Sequence, residues 1–371
     1  MKLLAFTLIP LMIASVVVSE DRCGPKTIIP PPEQVDGPYV LYKNDKVLVK
    51  YIVQDNTGKG VQADSVSVPE KKNITLHVAT DLPGKTFTVV LKDQLQNENP
   101  ETANVNKMLV ISDIEGNFAA FRKLLQSNGV IDENFNWTFG NGHLVLTGDF
   151  CDRGYQVTEV YWLIYSLEEK AKAAGGYVHY VLGNHEIMNM SGDVRYLHGK
   201  YLETEGLLNE RYEQLFNEQS ELGRWLRTKN VVEKVGDLLF AHGGISPYVN
   251  SLDITLAGIN DLARPYYADT TYKYPDKKLE VLYSDFGPFW YRGYYHGERA
   301  SSAAIDSTLS KFGVKYISTG HTIMKDTVSV WYDNRVFNTD VHHAEGKSEA
   351  LLVEDKKFYR VNATGNKTLL F

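Results

Sequence analysis

The stretch His143–Gly154, HLVLTGDFCDRG, constrains the fold of this chain more than any other: an apolar run stops at a glycine and then presents two aspartates and an arginine. A buried strand ordinarily ends in turn residues, so acidic and basic side chains crowded at its tip point to a site. The same form recurs as KMLVISDIEG at Lys107–Gly116, YVHYVLGNHE at Tyr177–Glu186, DLLFAHGG at Asp237–Gly244 and KYISTGHT at Lys315–Thr322. Ligands of an open α/β sheet gather beyond the strand ends, so five such tips can meet in one place. Together they supply Asp113, Asp149, Asn184, His242 and His321, oxygen and imidazole donors suited to Mn, Fe or Zn. That set is large enough for two divalent metal ions.

Helical patterns follow two of the tips. In NFAAFRKLLQSNG the residues Phe118, Phe121, Leu124 and Leu125 share one helical face, and VYWLIYSLEEKAKAAGG follows GDFCDRG. Strand and helix alternate, which predicts βαβ units in an α/β sandwich. Residues Ser191–Asn230 are expected to form a helical insertion, and the aromatic, Gly-interrupted Ser284–Arg299 a loop. The later runs TVSVWYDN, RVFNTDV, EALLVED and KFYRV are expected to be antiparallel strands closing the second sheet. Upstream, residues 24–95 carry short alternating runs between polar turns and are expected to form a small all-β domain. Its plain reading is packing or a substrate fence, and the alternative is carbohydrate or partner binding. Residues 96–106 are polar and read as a linker to a catalytic domain over 107–371.

Residues 1–19 combine an early lysine, an apolar stretch and small residues at Val17 and Ser19, the pattern of a signal peptide. This implies a secreted or periplasmic protein, the alternative being a membrane anchor, for which the run is short. No stable membrane span is expected after cleavage. Removing Lys2 leaves 38 basic against 46 acidic residues, a net charge of −8, which argues against nucleic acid as a partner. The two cysteines, Cys23 and Cys151, permit at most one internal disulfide. Sequons at Asn73, Asn136, Asn189, Asn362 and Asn366 fit a secreted glycoprotein in a glycosylating host, with Asn189 too close to GNHE for easy access.

The ordered set Asp113–Ile–Glu115–Gly, GDFCDRG, GNHE, HGG and GH at Gly320–His321 resembles the calcineurin-like metallophosphoesterases. Within them it is most similar to the phosphoprotein phosphatase branch, and to its bacterial, Shewanella-like members through GPFWYRGYY at Gly287–Tyr295. The resemblance covers Lys107 to His343 and implies a β-sandwich flanked by helices (αββα), with two metal ions drawn from Mn, Fe, Zn or Mg. Asp149 would bridge them, with Asp113 on the first ion and Asn184, His242 and His321 on the second. By family position Arg153 and Arg292 would bind the phosphate oxygens, and His185, held by Asp152, would be the general acid. Tyr295 and Tyr291 would lie near the substrate. Plainer roles exist for each: a helix N-cap for Asp149, satisfied core histidines for His242 and His321, a histidine behind the site for His185, and structural ion pairs for the arginines.

The pattern breaks at Glu115, where the family usually has histidine. A carboxylate there could still reach the first metal, giving an oxygen-rich site that favours Mn, Mg or ferrous iron over zinc. Otherwise the first site is weakened or takes His342 or His343, whose plain reading is loop histidines. Cys151 reads as a small residue packed behind the site, although a thiol beside metals could be oxidised. The expected function is hydrolysis of phosphate monoesters by metal-bound hydroxide, on a phosphorylated protein (Ser/Thr or Tyr). The alternatives are a small metabolite, nucleotide or diphosphate ester as substrate, and a metal-poor, non-catalytic secreted binding protein.

Overall fold

The computed structural model describes residues 26–371, so the expected signal peptide and Cys23 lie outside it. The described residues begin with two three-stranded sheets. One is built from β1 (Lys26–Ile28), β5 (Ile74–Ala79) and β6 (Thr86–Val90), the other from β2 (Gln34–Lys43), β3 (Lys46–Asp55) and β4 (Gly58–Ser67). Asn44 and Asp45 both adopt positive φ (50° and 60°), the backbone that a two-residue hairpin turn between β2 and β3 requires.

Residues expected to link the two regions are built into the next one. They contribute β7 (Glu101–Thr102), and Glu98 forms an ion pair with Lys229 at 2.8 Å. Lys229 also pairs with Glu168 at 2.6 Å, both side chains being almost fully buried.

Beyond them the strands are β8 (Lys107–Ile111), β9 (His143–Thr147), β10 (Tyr177–Val181), β11 (Val232–Val235), β12 (Leu238–Ala241), β13 (Tyr316–Thr319), β14 (Ser329–Trp331) and β15 (Val336–Asn338). Three more close the chain: β16 (Glu349–Glu354), β17 (Lys357–Asn362) and β18 (Lys367–Leu369). They form two six-stranded sheets, β10-β9-β8-β16-β17-β18 and β14-β15-β13-β12-β11-β7. Alternation along each strand builds the layers. Met108, Val110 and Val145 face Val235, Leu238 and Phe240 across the sandwich, whereas Leu109, Ile111, Leu144 and Leu146 belong to the core shared with the helices.

The expected sandwich flanked by helices is present, with one correction. Only β14 and β15 close the second sheet; β16–β18 return to the first, β16 running antiparallel to β8. A period-2 pattern records which residues face a core, and both sheets share the same core.

Helix α1 (Phe118–Ser127) buries the four apolar residues expected of it. Helix α2 (Val157–Ala173) is buried without interruption from Val157 to Glu168, the mark of a helix covered on every side. One side lies on β10, the other on β2, β5 and β6. Trp162 Nε1 donates to the Pro38 carbonyl at 2.9 Å and the Tyr165 hydroxyl accepts from the Lys92 N–H at 2.7 Å. Helices α3 (Asn184–Ser191), α4 (Gly199–Leu208) and α5 (Glu221–Leu226) follow the GNHE tip, the last two within the expected helical insertion. Among the described residues no helix is long and apolar enough to cross a membrane.

Candidate metal centre

The parallel strands β8, β9 and β10 of one sheet, and β12 and β13 of the other, end at a common edge, and each is followed by one of the polar tips. The backbone there is unusual. Asp113, Glu115, Asp149, Asp152, Arg153 and His321 all have positive φ, between 49° and 68°. Non-glycine residues rarely adopt this region, and they hold it where surrounding bonds over-determine it. Here the tips bond to one another. The Asp113 N–H donates to the Gly148 carbonyl, Glu115 to Asp149, and Gly116 to Phe150, each at 3.0 Å, and Gly320 donates to His242 at 2.9 Å.

Glu186 organises the central tip. Its buried carboxylate accepts from the N–H groups of Asp149 (2.9 Å), Phe150 (2.8 Å) and Gly183 (2.7 Å) and from the Tyr180 hydroxyl (2.9 Å). Two glycines make room for the acids: a Cβ on Gly183 would lie 2.1 Å from Asp149 Oδ1, and one on Gly320 2.2 Å from Asp113 Oδ2.

Within this frame Asp149, His242 and His321, all buried, each offer a ligand atom within 4.8 Å of the others. His242 Nδ1 donates to the Thr147 carbonyl at 2.7 Å, which leaves Nε2 facing Asp149 Oδ2 at 2.9 Å and Asn184 Oδ1 at 3.1 Å. His321 Nε2 donates to the Trp290 carbonyl at 3.1 Å and leaves Nδ1 available. A histidine whose second nitrogen is tied to a carbonyl is the usual arrangement around a metal. Asp113 stands beside them, both oxygens accepting from the His321 N–H at 3.1 Å.

The charges agree with a cation site. Burial, reinforced by Asp149 and opposed by His242, lifts Asp113 to about 6. Burial would raise Asp149 as well, but His242 and His185 outweigh it and hold the carboxyl well below the usual range. For His242 burial is overcome by Asp149 and Asp113, which raise it to about 9, while burial and then the His242 charge keep His321 neutral. A protonated His242 thus stands where a cation would otherwise balance the acids, and the donor set fits divalent ions.

Beside the cluster His185 Nδ1 meets Asp152 Oδ2 at 2.6 Å, and Asn189 Nδ2 holds the other Asp152 oxygen at 2.9 Å. The Asn189 amide is therefore engaged at the site and buried. His185 Nε2 faces inward, 3.8 Å from Asp149 Oδ2. Burial lowers its basicity, but Asp149 and Asp152 win and raise it. Cys151 is buried behind the tip, where burial and neighbouring acids push its thiol up.

The other expected site residues lie around or beneath this cluster rather than in it. Glu115 is outside the Asp149–His242–His321 cluster, and its carboxylate pairs with the Arg153 guanidinium. Arg292 is exposed and donates to the His321 carbonyl and the Thr322 hydroxyl. Tyr295 does not line the opening: it is 1% exposed and bonded to Thr319 Oγ1 at 2.7 Å, packed beneath the His321 turn with Tyr294 and the largely buried Tyr291. His343 is buried with Nε2 on the Ser112 carbonyl at 3.1 Å, and His342 pairs with Asp326 on the surface. Sequence reasoning passed over Glu186 and the buried Asp340, although RVFNTD ends its strand in the same way as the other tips.

A cavity of about 480 Å³ adjoins the site, lined by Ile187, Met188, Tyr272, Tyr274, Tyr283 and Trp290 among others. A larger one of about 810 Å³, lined by Arg224, Arg227 and Arg264, contains none of the residues described above.

Comparison with known proteins agrees with this geometry. Residues 107–324, more than half of the chain, match the calcineurin-like phosphoesterase family model. The cold-active protein-tyrosine phosphatase of a psychrophilic Shewanella species superposes with a TM-score of 0.81 at 34% identity, covering 91% of this chain and 99% of that one. Shewanella-like protein phosphatase 1 of Plasmodium berghei is 29% identical over 224 residues, 58% of this chain and 61% of that protein's length. Shewanella-like protein phosphatase 2 of Arabidopsis thaliana is 25% identical over 305 residues, 70% of this chain and 75% of that one. The family model spans all five polar tips described above, and the chain belongs to the calcineurin-like phosphoesterase family, on its Shewanella-like protein phosphatase side.

Proposed function

We propose that the chain is an exported phosphatase that works with two divalent ions, manganese foremost, on phosphate monoesters of proteins, phosphotyrosine included. The meeting of Asp149, His242 and His321 at ligand distance, with the His185–Asp152 pair alongside, carries this reading. Asp149 is assigned to both ions, Asp113 to the first, and Asn184, His242 and His321 to the second. Such ions, when bound, neutralise phosphate charge and acidify the attacking water.

The remaining chemistry belongs to the chain's own groups. Arg153, about half exposed, and Arg292 offer planar forks to the outer phosphate oxygens, Arg153 exchanging its Glu115 partner for the substrate. His185, oriented by Asp152, presents its Nε2 proton. As the ester P–O bond breaks and a water oxygen takes its place on phosphorus, that proton passes to the departing alkoxide or phenoxide. The aromatic walls of the adjoining cavity, Tyr272, Tyr274 and Trp290, suit a flat leaving group, and the Shewanella relative, a protein-tyrosine phosphatase, points the same way. Export rests on residues 1–19.

The test is hydrolysis of p-nitrophenyl phosphate by chelator-stripped protein with and without manganese, with Asp149→Asn as control. Phosphotyrosine and phosphoserine peptides and nucleotides are then compared under the same conditions. Absence of manganese-dependent turnover in the parent chain would overturn the reading, and preference for nucleotides would overturn the substrate.

A further inference from the structure

Strand β15 runs parallel to β13, with Ile317 beside Val336, Ser318 beside Phe337 and Thr319 beside Asn338. Asp340 lies two residues beyond the end of β15, as His321 lies two beyond the end of β13, so the two stand on adjoining tips. The intervening residues pin it there. The Thr339 N–H donates to the Thr319 carbonyl at 2.9 Å, and its hydroxyl lies 3.0 Å from Ser112 Oγ, the residue before Asp113. Asn338 accepts from the Asp340 N–H at 3.0 Å and donates to the Thr322 carbonyl at 2.7 Å. Asp340 is thereby clamped between the tips that carry Asp113 and His321.

Its side chain has no evident partner. Asp340 is 5% exposed, yet among the described residues its carboxylate has neither a hydrogen-bond donor nor an ion pair. A carboxylate so nearly enclosed, with no donor from the protein and only a trace of exposure, is free to take a partner from the opening. Burial first, then the charges of Asp113 and Asp149, push this carboxyl well above its ordinary range against the pull of Arg292 and Arg153. Asp340 thus sits on the tip beside those of Asp113 and His321 with its carboxylate unengaged, while Glu115 is occupied by Arg153.

We propose that Asp340 is a ligand of the divalent ion assigned to Asp113 and Asp149, in the place that Glu115 leaves open. The proposal rests on the two-ion reading above. A site of three carboxylates has only oxygen donors, so it takes manganese or magnesium in preference to zinc.

The experiment measures manganese bound at equilibrium to the chelator-stripped full chain, together with the melting temperature of each metal-free form. The parent is expected to bind two ions. Asp340→Asn should lose one of them or bind it at least about tenfold more weakly, the scale on which metal-site partners act, while Glu115→Gln keeps both. Relief of the repulsion among the acids should also raise the metal-free melting temperature of Asp340→Asn and shrink the increase that manganese produces. A purely structural aspartate would give the opposite sign, which separates the two roles even if the variant binds poorly. Two ions at parental affinity in Asp340→Asn, or loss of the ion in Glu115→Gln instead, would overturn the assignment. A parent that binds one ion would overturn the two-ion reading; Asp340 is then judged by whether Asp340→Asn weakens that single ion.

Discussion

Replacing Glu186 by glutamine removes one charge and turns one acceptor oxygen into a donor, at a carboxylate that is fully buried among four donors. Oε2 serves Asp149 and Gly183, two backbone N–H groups that cannot reverse. Oε1 serves Phe150 and the Tyr180 hydroxyl, and a hydroxyl can rotate to accept. The new amide therefore settles with its NH₂ toward Tyr180, leaving the Phe150 N–H unsatisfied. That group contributes about 1–3 kcal/mol of destabilisation, and weakening the two remaining charge-assisted bonds adds about 1 kcal/mol each. The expected loss is about 3–5 kcal/mol in urea unfolding of the metal-free protein, seen as a lower midpoint at unchanged slope. Manganese affinity should fall as well, because the bond that holds the Asp149 backbone is weakened. A Glu186→Gln protein within 1 kcal/mol of the parent would refute the idea that this carboxylate holds the tip in place.

Three further outcomes are expected. His185→Ala should lower kcat by about 10²–10⁴-fold with little change in KM, and by less on p-nitrophenyl phosphate than on phenyl phosphate, whose leaving group needs the proton more; equal losses on both would argue against general acid catalysis. His143 is held at about 4 by burial and then by the neighbouring His179, so the unfolded chain binds the extra proton between pH 6.5 and about 4. Stability should accordingly decline as pH falls through that window, by ~1–2 kcal/mol after allowance for partial solvent screening, and His143→Asn should flatten the slope in denaturant titrations. Lys229→Met removes the cation from the part-buried Glu98 and the buried Glu168; Tyr177 still bonds Glu98, and Lys92 and Trp225 still bond Glu168, which puts the loss near the low end of the usual range, about 3 kcal/mol by urea unfolding.

The strand tips could be read from the sequence because each motif is contiguous: Asp149 or His242 follows directly on the apolar run that delivers it. What was hidden depended on pairing between distant segments. Glu186 stood in plain view within GNHE, but its role comes from N–H groups 36 and 37 residues away. Asp340 lies at the end of a short strand whose neighbour is known only from the sheet order. Glu115 read as a ligand by its place beside Asp113, whereas its partner Arg153 arrives on a different tip. Tyr295 shares an aromatic stretch with Arg292, and burial alone decides which of the two faces solvent. Alternation likewise could not say which sheet would receive β16–β18.

The wrapping of α2 has a practical consequence. The stretch that matches the family model begins at residue 107, which invites expression from that point onward. A fragment cut there would lose the strands against one flank of a helix that has no wettable side, uncovering Trp162 and Tyr165 and leaving the Trp162 indole without its carbonyl. The strands between Gln34 and Val90 therefore act as the lid of the core as much as a module in front of it.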